Sequence, residues 1–506
     1  MTTIMTFLST NFFNFFVNDF KFSIVEHYLL FVILCLFIFS ILYSTSSKYT
    51  YPLLITPLLY LIIFSLCCAI LLLYSNNVAS AIFFYNLFII DDFTFFMKIL
   101  VLLSAIICFF ISINYLYEEK INSFEYFILL FIVIFSLLLI ISSYDLLSMY
   151  LTIELQSLSL YILAAYKRNS AFSTESGLKY FILGAFSSGL LLFGCSLVYG
   201  FSGVTSFEDL AKLFVNYGFV TSVSNNAIVV GLIFIAVALL FKLTAAPFHM
   251  WAPDVYEGAP TAVTAFFAIV PKIAIFSLLI RLFFYIFYDF IGFWQQIFIL
   301  SSILSMVIGS LGALYQTKVK RLFAYSSIGH IGYLLLGLAS GTLESFEGIL
   351  LYLFIYIIMT VILFTVILNV REQKTNSKIK YITHFTSFIK VNPLIAVTVM
   401  LTFFSMAGIP PLAGFCGKFY LFFSAISAEM YFLAVLGVLT SVISAFYYIR
   451  IIKILYFVTP SAWFSYKQMN YASSLILAYS TLFLIFFFCN PVPFLKNLHN
   501  IVLTLY

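Results

Sequence analysis

The chain has 506 residues, 64% of them hydrophobic and only 8% charged, with a mean hydropathy of +1.14 and a formal net charge of +5. A soluble globular chain is about half apolar and a quarter charged, so these values exclude a soluble domain and define a polytopic membrane protein. Basic residues are few and scattered between apolar runs, which excludes a nucleic-acid-binding surface.

A membrane-spanning helix needs about 20 apolar residues, and hydropathy predicts an all-α chain of about 14 spans. In chain order these are 26–43, 51–74, 92–114, 124–141, 145–165, 175–200, 226–249, 260–287, 291–315, 321–340, 346–369, 393–427, 431–458 and 472–489. Residues 1–20 have neither a basic n-region nor an Arg-rich amphipathic pattern, so insertion from inside the compartment that makes the chain is expected. Between spans only 75–91, 201–225 and 370–392 are sizeable, and none can bury a soluble core. The seven cysteines (Cys35, Cys67, Cys68, Cys108, Cys195, Cys416, Cys489) all fall in apolar runs without metal-ligand spacing and read as packing residues.

Loop charge tests this topology. With loops alternating between sides, one side collects Lys48, Lys120, Lys167, Arg168, Lys318, Lys320, Arg321, Arg371, Lys374, Lys378, Lys380, Lys390, Arg450, Lys453 and Lys467. The other holds only Lys21, Lys212, Arg281 and Lys496. A miscounted span would scramble such a bias. The positive-inside rule puts the rich side in the cytoplasm or matrix and both termini opposite.

Five basic residues remain within spans. Lys98 and Lys179 lie within a turn or two of their helix starts, where snorkelling explains them. Lys242, Lys272 and Lys418 lie deeper, and Glu154 is the one carboxylate near the middle of a span. Buried charges need partners or neutralisation. In FKLTAAPFHMWAPDVYEGAP, residues 241–260, Lys242 and His249 are seven residues apart, two helical turns, but Pro247 between them breaks the helix. Residues 408–414, GIPPLAG, contain Pro410 and Pro411 and interrupt the span that carries Lys418. Backbone groups freed at membrane depth need polar partners, so a hydrated pocket is expected around 408–418. His330, in YSSIGHIGYLLLGL, is either a proton-relay group or a helix-locking one bonded to nearby serines.

The breaks suggest a repeat. Residues 124–287 and 291–458 each hold five predicted spans, with the fourth broken near proline and carrying a lysine. Five is odd, so the second copy enters from the opposite face, an inverted repeat of the kind that places ion sites near the midplane. An N-terminal segment of three helices, 1–123, and a C-terminal helix and tail, 459–506, flank the pair.

The motifs ELQSLSLYILAAYKR, GLKYFILGAFSSG, FKLTAAPFHMWAPDVYEGAPT, YSSIGHIGY and MAGIPPLAGFCGKFYLF stand in this order between about Asp145 and Phe423. In wording, order and span layout the sequence resembles the chain 2 family of NADH:ubiquinone oxidoreductase, the antiporter-like membrane subunits of respiratory complex I. The resemblance implies a core membrane subunit that moves protons along a buried row, driven by quinone reduction in other subunits. In that row Glu154 pairs with Lys242, Lys272 connects the halves and Lys418 serves the far half-channel. A lysine in an apolar interior gives up its proton readily and a nearby carboxylate holds it, so a changed Glu154–Lys242 distance would switch Lys242. His249 and His330 are candidate relays.

The resemblance further implies membrane partners, among them the antiporter-like chains 4 and 5, and lipids. NADH, FMN, iron–sulfur clusters and ubiquinone are expected in other subunits. No dinucleotide fingerprint, phosphate-binding loop, iron–sulfur cysteine set or nucleophile–base pair occurs here, so no catalytic, cofactor-binding or metal residue is assigned. Sixty-four Phe and 35 Tyr against three Trp read as the codon bias of an AT-rich genome. A mitochondrial inner membrane is therefore expected, with a bacterial inner membrane as the alternative. A subunit of a multi-subunit cation/proton antiporter or membrane-bound hydrogenase would share the broken-helix lysines. A passive scaffold would tolerate their neutralisation.

Overall fold

Backbone amides in hydrocarbon have no water to bond, so long apolar runs close their hydrogen bonds internally as helices. The computed structural model describes residues 19–44, 55–75, 80–119, 121, 123–216, 223–373, 378–458 and 466–504. Among these, twelve helices are long and apolar enough to cross a membrane. They are α1 (Ile24–Ser44), α2 (Ile55–Ser75), α3 (Asp92–Glu118), α4 (Phe124–Ser142), α5 (Leu146–Ala164), α6 (Ala171–Ser202), α8 (Val223–Leu243), α10 (Thr261–Arg281), α11 (Ile291–Leu314), α12 (Val319–Ser340), α13 (Leu343–Asn369) and α16 (Tyr431–Tyr456). Three shorter apolar helices, α14 (Pro393–Ala407), α15 (Ala413–Ser427) and α17 (Tyr471–Phe486), occupy the remaining predicted spans. Length and composition alone thus mark twelve of the fourteen predicted spans as crossings. Other helices outside the spans include α7 (Phe207–Asn216), α9 (Trp251–Gly258) and α18 (Val492–Leu503).

Local chemistry sets the boundaries. Asp91 caps α3 by accepting from Thr94 N at 2.7 Å, while Thr94 Oγ1 accepts from Asp91 N, a reciprocal capping box. Asp145 caps α5 through Leu147 N at 2.7 Å, and its other oxygen accepts from Thr205 Oγ1 at 2.7 Å. Packing between helices uses small side chains: a Cβ on Gly309 of α11 would sit 2.5 Å from Gly329 N of α12. The centre is α10, every residue of which is buried, with α3 and α13 against it.

Segment 75–91, left without structure by hydropathy, contains a hairpin of β1 (Ser80–Phe83) and β2 (Phe88–Asp91). Hydropathy also misplaces two cations. Lys98 does not snorkel: its amine meets Glu26 of α1 at 2.5 Å, with side chains 2% and 7% exposed. Arg281 is not a loop residue but the buried end of α10, bonded to Asp91 at 2.7 Å. Lys179, also expected to snorkel, bridges Glu175 at 2.8 Å and Asp254 at 3.0 Å. For Lys98 and Arg281 a carboxylate far away in sequence offsets the desolvation that water otherwise relieves, whereas Lys179 stays partly exposed.

The lysine-rich loops do gather at one end of the bundle. Glu119, which ends α3, accepts from Lys378 at 2.7 Å, Lys167 at 2.8 Å and Arg371 at 3.1 Å. Its neighbour Glu118 takes Lys467 at 3.2 Å. Lys318 pairs with Glu257, and Arg321 reaches Asp254 at 3.0 Å. Lys48, Lys120 and Lys374 lie outside the described residues.

Burial pushes the Glu119 carboxyl up, but Lys167 and Lys378 outweigh it and hold the group at about 2, below its ordinary 4.5. Its lowered value means the contribution to stability is complete above 4.5 and lost as pH falls toward 2. Glu119→Gln is expected to cost about 1–2 kcal/mol at neutral pH, the lysine partners being partly solvated. The gap in thermal midpoint between wild type and variant should then narrow as the pH falls below 4.5, a trend that melting curves across that range would read.

Candidate functional site

Both lysine-bearing breaks fall where proline forbids a regular helix. α8 stops at Leu243, one residue after Lys242, and Thr244 turns the chain with φ +66°. The Phe241 carbonyl left free there accepts from Thr244 N at 3.1 Å and from the Trp251 indole at 3.1 Å. Trp251 is stacked on Tyr180 with centroids 4.5 Å apart, which fixes the indole that closes the break. Pro247 stands in the turn, and His249 beyond it is 4% exposed, with no hydrogen-bond partner on Nδ1 among the described residues.

The second break runs from Gly408 to Leu412, between α14 and α15. Gly408 closes α14 in the left-handed region at φ +87°. Ser405 Oγ accepts from Gly414 N at 3.1 Å, which ties the two half-helices together. Pro410 and Pro411 stand in the turn, as predicted. At this break Lys418 itself donates to the Met406 carbonyl at 2.8 Å and the Ala407 carbonyl at 3.1 Å. The amine is 4% exposed and lies 4.9 Å from the centroid of Tyr333. A Cβ on Gly408 would come within 3.1 Å of Lys418 Cδ.

Tyrosine recurs at each deep amine. Lys242 Nζ donates to Tyr161 Oη at 3.3 Å and lies 5.6 Å from its ring. Lys272, which follows Pro271 inside α10, donates to Tyr356 Oη at 2.8 Å. Tyr356 in turn donates to the Ala268 carbonyl at 3.4 Å, and its ring is 5.5 Å from that of His330. His330 is held at both nitrogens, by Tyr352 Oη at 2.6 Å and Tyr448 Oη at 3.1 Å. Its predicted serine partners are instead bonded to carbonyls of their own helix, Ser326 to Phe323 and Ser327 to Ala324.

The predicted residues therefore divide. Lys272, His330 and Lys418 fall in one connected cluster through Tyr356, Tyr352 and Tyr333, with Tyr333 and Tyr352 edge to face at 6.3 Å. Glu154 and Lys242 do not form a direct ion pair; both are half-buried, and Tyr161 and Ser157 stand between them, Ser157 donating to Glu154 Oε2 at 3.4 Å. Lys242 and His249 sit on opposite sides of the first break rather than on one helical face. The tyrosines were hidden in plain composition: 35 Tyr read as codon bias, although ELQSLSLY, YSSIGHIGY and ILLYLFIY set one near each ionisable group.

A bundle with two interrupted helices and buried amines beside them defines the class, an integral membrane protein of antiporter-like architecture. The family described as NADH:quinone oxidoreductase/Mrp antiporter, TM, matches residues 143–444. NADH-ubiquinone oxidoreductase chain 2 of Marchantia polymorpha is 50% identical over 492 residues, 97% of this chain and 99% of that one. NADH-quinone oxidoreductase subunit N of Paramagnetospirillum magneticum is 46% identical over 405 residues, 80% of this chain and 82% of its own. Among solved structures, a chain of respiratory complex I from Thermus thermophilus has a TM-score of 0.75 and 26% identity over 93% of this chain and 98% of its own. A chain of the Mrp complex from Dietzia sp., at 19% identity over 96% of this chain and 97% of its own, shares the fold with a TM-score of 0.81. This chain belongs to the NADH-ubiquinone oxidoreductase chain 2 and subunit N family, the antiporter-like membrane subunits of complex I.

Gly408→Ala is expected to destabilise the second break by about 1–2 kcal/mol, the cost of a left-handed conformation for an L residue. It should also displace Lys418 from the Met406 and Ala407 carbonyls. A lowered thermal midpoint together with a shifted Lys418 amine in a structure of the variant would check both.

Proposed function

We propose that this subunit carries protons across the membrane through the row Glu154, Lys242, His249, Lys272, His330 and Lys418, driven by quinone reduction in other subunits. The observation that carries the reading is the contact of Lys242 and Lys272 with a tyrosine hydroxyl, and of Lys418 with carbonyls and a tyrosine ring, rather than with a fixed carboxylate. A hydroxyl accepts from a protonated amine and can turn to donate to a neutral one, so Lys242 and Lys272 can hold or release a proton beside the same partner, and a neutral Lys418 amine still has N–H groups for its carbonyls. A carboxylate partner, as Glu26 is for Lys98, would lock the charge in place. Glu154 acts on Lys242 across Tyr161 and Ser157, and a small helix movement that shortens that path would hold the proton on Lys242. One pKa unit corresponds to about 1.4 kcal/mol, so such movements suffice.

The redox chemistry belongs to partners: NADH, FMN, iron–sulfur clusters and ubiquinone are bound by other subunits, and this chain carries no redox site. Residues 124–287 and 291–458 act as inverted halves, each with one break. The membrane neighbours include the antiporter-like chains 4 and 5, and the half-buried Glu154 and Lys242 lie on a face covered by protein or water, since lipid would leave their charge unsatisfied. The lysine-rich end faces the matrix, with both termini opposite, in a mitochondrial inner membrane.

Two measurements test this. Lys242→Met in a fully assembled complex is expected to lower proton pumping and NADH:quinone turnover at least tenfold, whereas normal pumping would favour a passive scaffold. In sealed inner-membrane vesicles, an impermeant amine reagent should reach Lys167 and Lys453 from the matrix side only. Labelling of either from the opposite side would invert the orientation.

A further inference from the structure

Where the loops of the basic end meet, a cavity of about 390 Å³ opens between α3, α6, α9, α10, α12, α13 and the segment after α13. Lys167, Lys318, Lys320, Lys378 and Lys380 line it against a single carboxylate, Glu257. That carboxylate is taken by Lys318 and Arg321. Glu119, just outside, holds Lys167 and Lys378. Lys320 donates only to the Ala259 carbonyl, at 2.7 Å, and Lys380 has no carboxylate partner among the described residues. Two ammonium groups, Lys320 half-buried and Lys380 exposed at its edge, thus border one cavity without a carboxylate contact of their own among the described residues.

The backbone adds to the field. Ser170, Pro260 and Lys318, which begin α6, α10 and α12, all line the cavity, and none caps its helix with a side-chain hydrogen bond. Three positive helix ends therefore converge on one space. Thr261, on the first turn of α10, is 2% exposed, lines the same cavity, and leaves Oγ1 without a hydrogen-bond partner. A buried hydroxyl with no acceptor or donor is costly unless a ligand satisfies it.

We propose that this cavity binds a phosphate-type anion, held by Lys320 and Lys380, hydrogen-bonded by Thr261 Oγ1 and seated at the start of α10. The chemistry is the same whether the phosphate is free in the aqueous compartment or is the headgroup of an anionic phospholipid. The assignment is independent of the proton row, none of whose residues lines the cavity.

The test uses the purified, assembled complex in two arms. In the first, radiolabelled inorganic phosphate is titrated by equilibrium dialysis. In the second, complex reconstituted into phosphatidylcholine vesicles, with and without cardiolipin, is re-extracted and its retained cardiolipin counted by native mass spectrometry. A saturable site is expected in one arm. There the Lys320→Gln/Lys380→Gln double variant should bind at least tenfold more weakly, Thr261→Val a few-fold more weakly, and Lys496→Gln, at the opposite end, like wild type. Loss in the first arm identifies a free phosphate site, and loss in the second a lipid headgroup site. If the double variant does not assemble, Lys380→Gln alone, in a segment outside the helices, carries the comparison. Binding unaltered by both Lys380→Gln and Thr261→Val, or no saturable wild-type binding in either arm, overturns the proposal.

Discussion

An amine placed at membrane depth must find a partner, and the choice of partner decides what the amine can do. Lys98 and Arg281 have carboxylates, Glu26 and Asp91, and serve as fixed cross-links between α1 and α3 and between α10 and the hairpin. Lys242, Lys272 and Lys418 have hydroxyls, rings and carbonyls. The first kind of pair resists losing its proton, because removing one charge strands the other. The second tolerates both protonation states. The same residue type is thereby structural in one place and suited to carrying protons in another.

The helix breaks follow from the same constraint. A continuous α8 would keep the Phe241 carbonyl in its own ladder, and a continuous α14–α15 would do the same for Met406 and Ala407. Interruption releases acceptors at the depth of a lysine, and the fold answers each in its own way. At the first break the Trp251 indole and the Thr244 amide take the Phe241 carbonyl, so Lys242 is left to Tyr161. At the second the lysine takes the carbonyls directly, and Gly408 leaves the space for its side chain. Lys242 is thus the more loosely held of the two.

Apolar run length, loop charge and proline position suffice to read the helical class, both breaks and the crowding of lysines at one end, because each is a local property of the sequence. What hydropathy misses is pairing across the sequence. Lys98 and Glu26 are 72 residues apart and Arg281 and Asp91 are 190 apart, so a lysine near a helix start looks like one that snorkels. Glu154 and Lys242, paired by family resemblance, make no direct ion pair among the described residues; Lys242 bonds Tyr161, and Ser157 donates to Glu154. Tyrosine counts as apolar in a hydropathy profile, and its hydroxyl becomes visible only when α5, α12, α13 and α16 are packed together.

α10 shows why packing matters most at the centre. All of its residues are buried, so Lys272 has no route to water along its own helix. Its polar continuation must come from a neighbour, and Tyr356 of α13 supplies it, with His330 of α12 next in line. The contact joins the first half of the chain to the second. From Lys272 to Lys418 every step rests on an aromatic side chain fixed by its neighbours. From Lys242 to Lys272 no hydrogen bond between side chains closes the gap among the described residues, and His249, buried with Nδ1 unsatisfied, stands on the break that ends α8. The two stretches differ in kind: Lys272 to Lys418 runs along a line of aromatic rings, whereas Lys242 to Lys272 crosses the turn that ends α8.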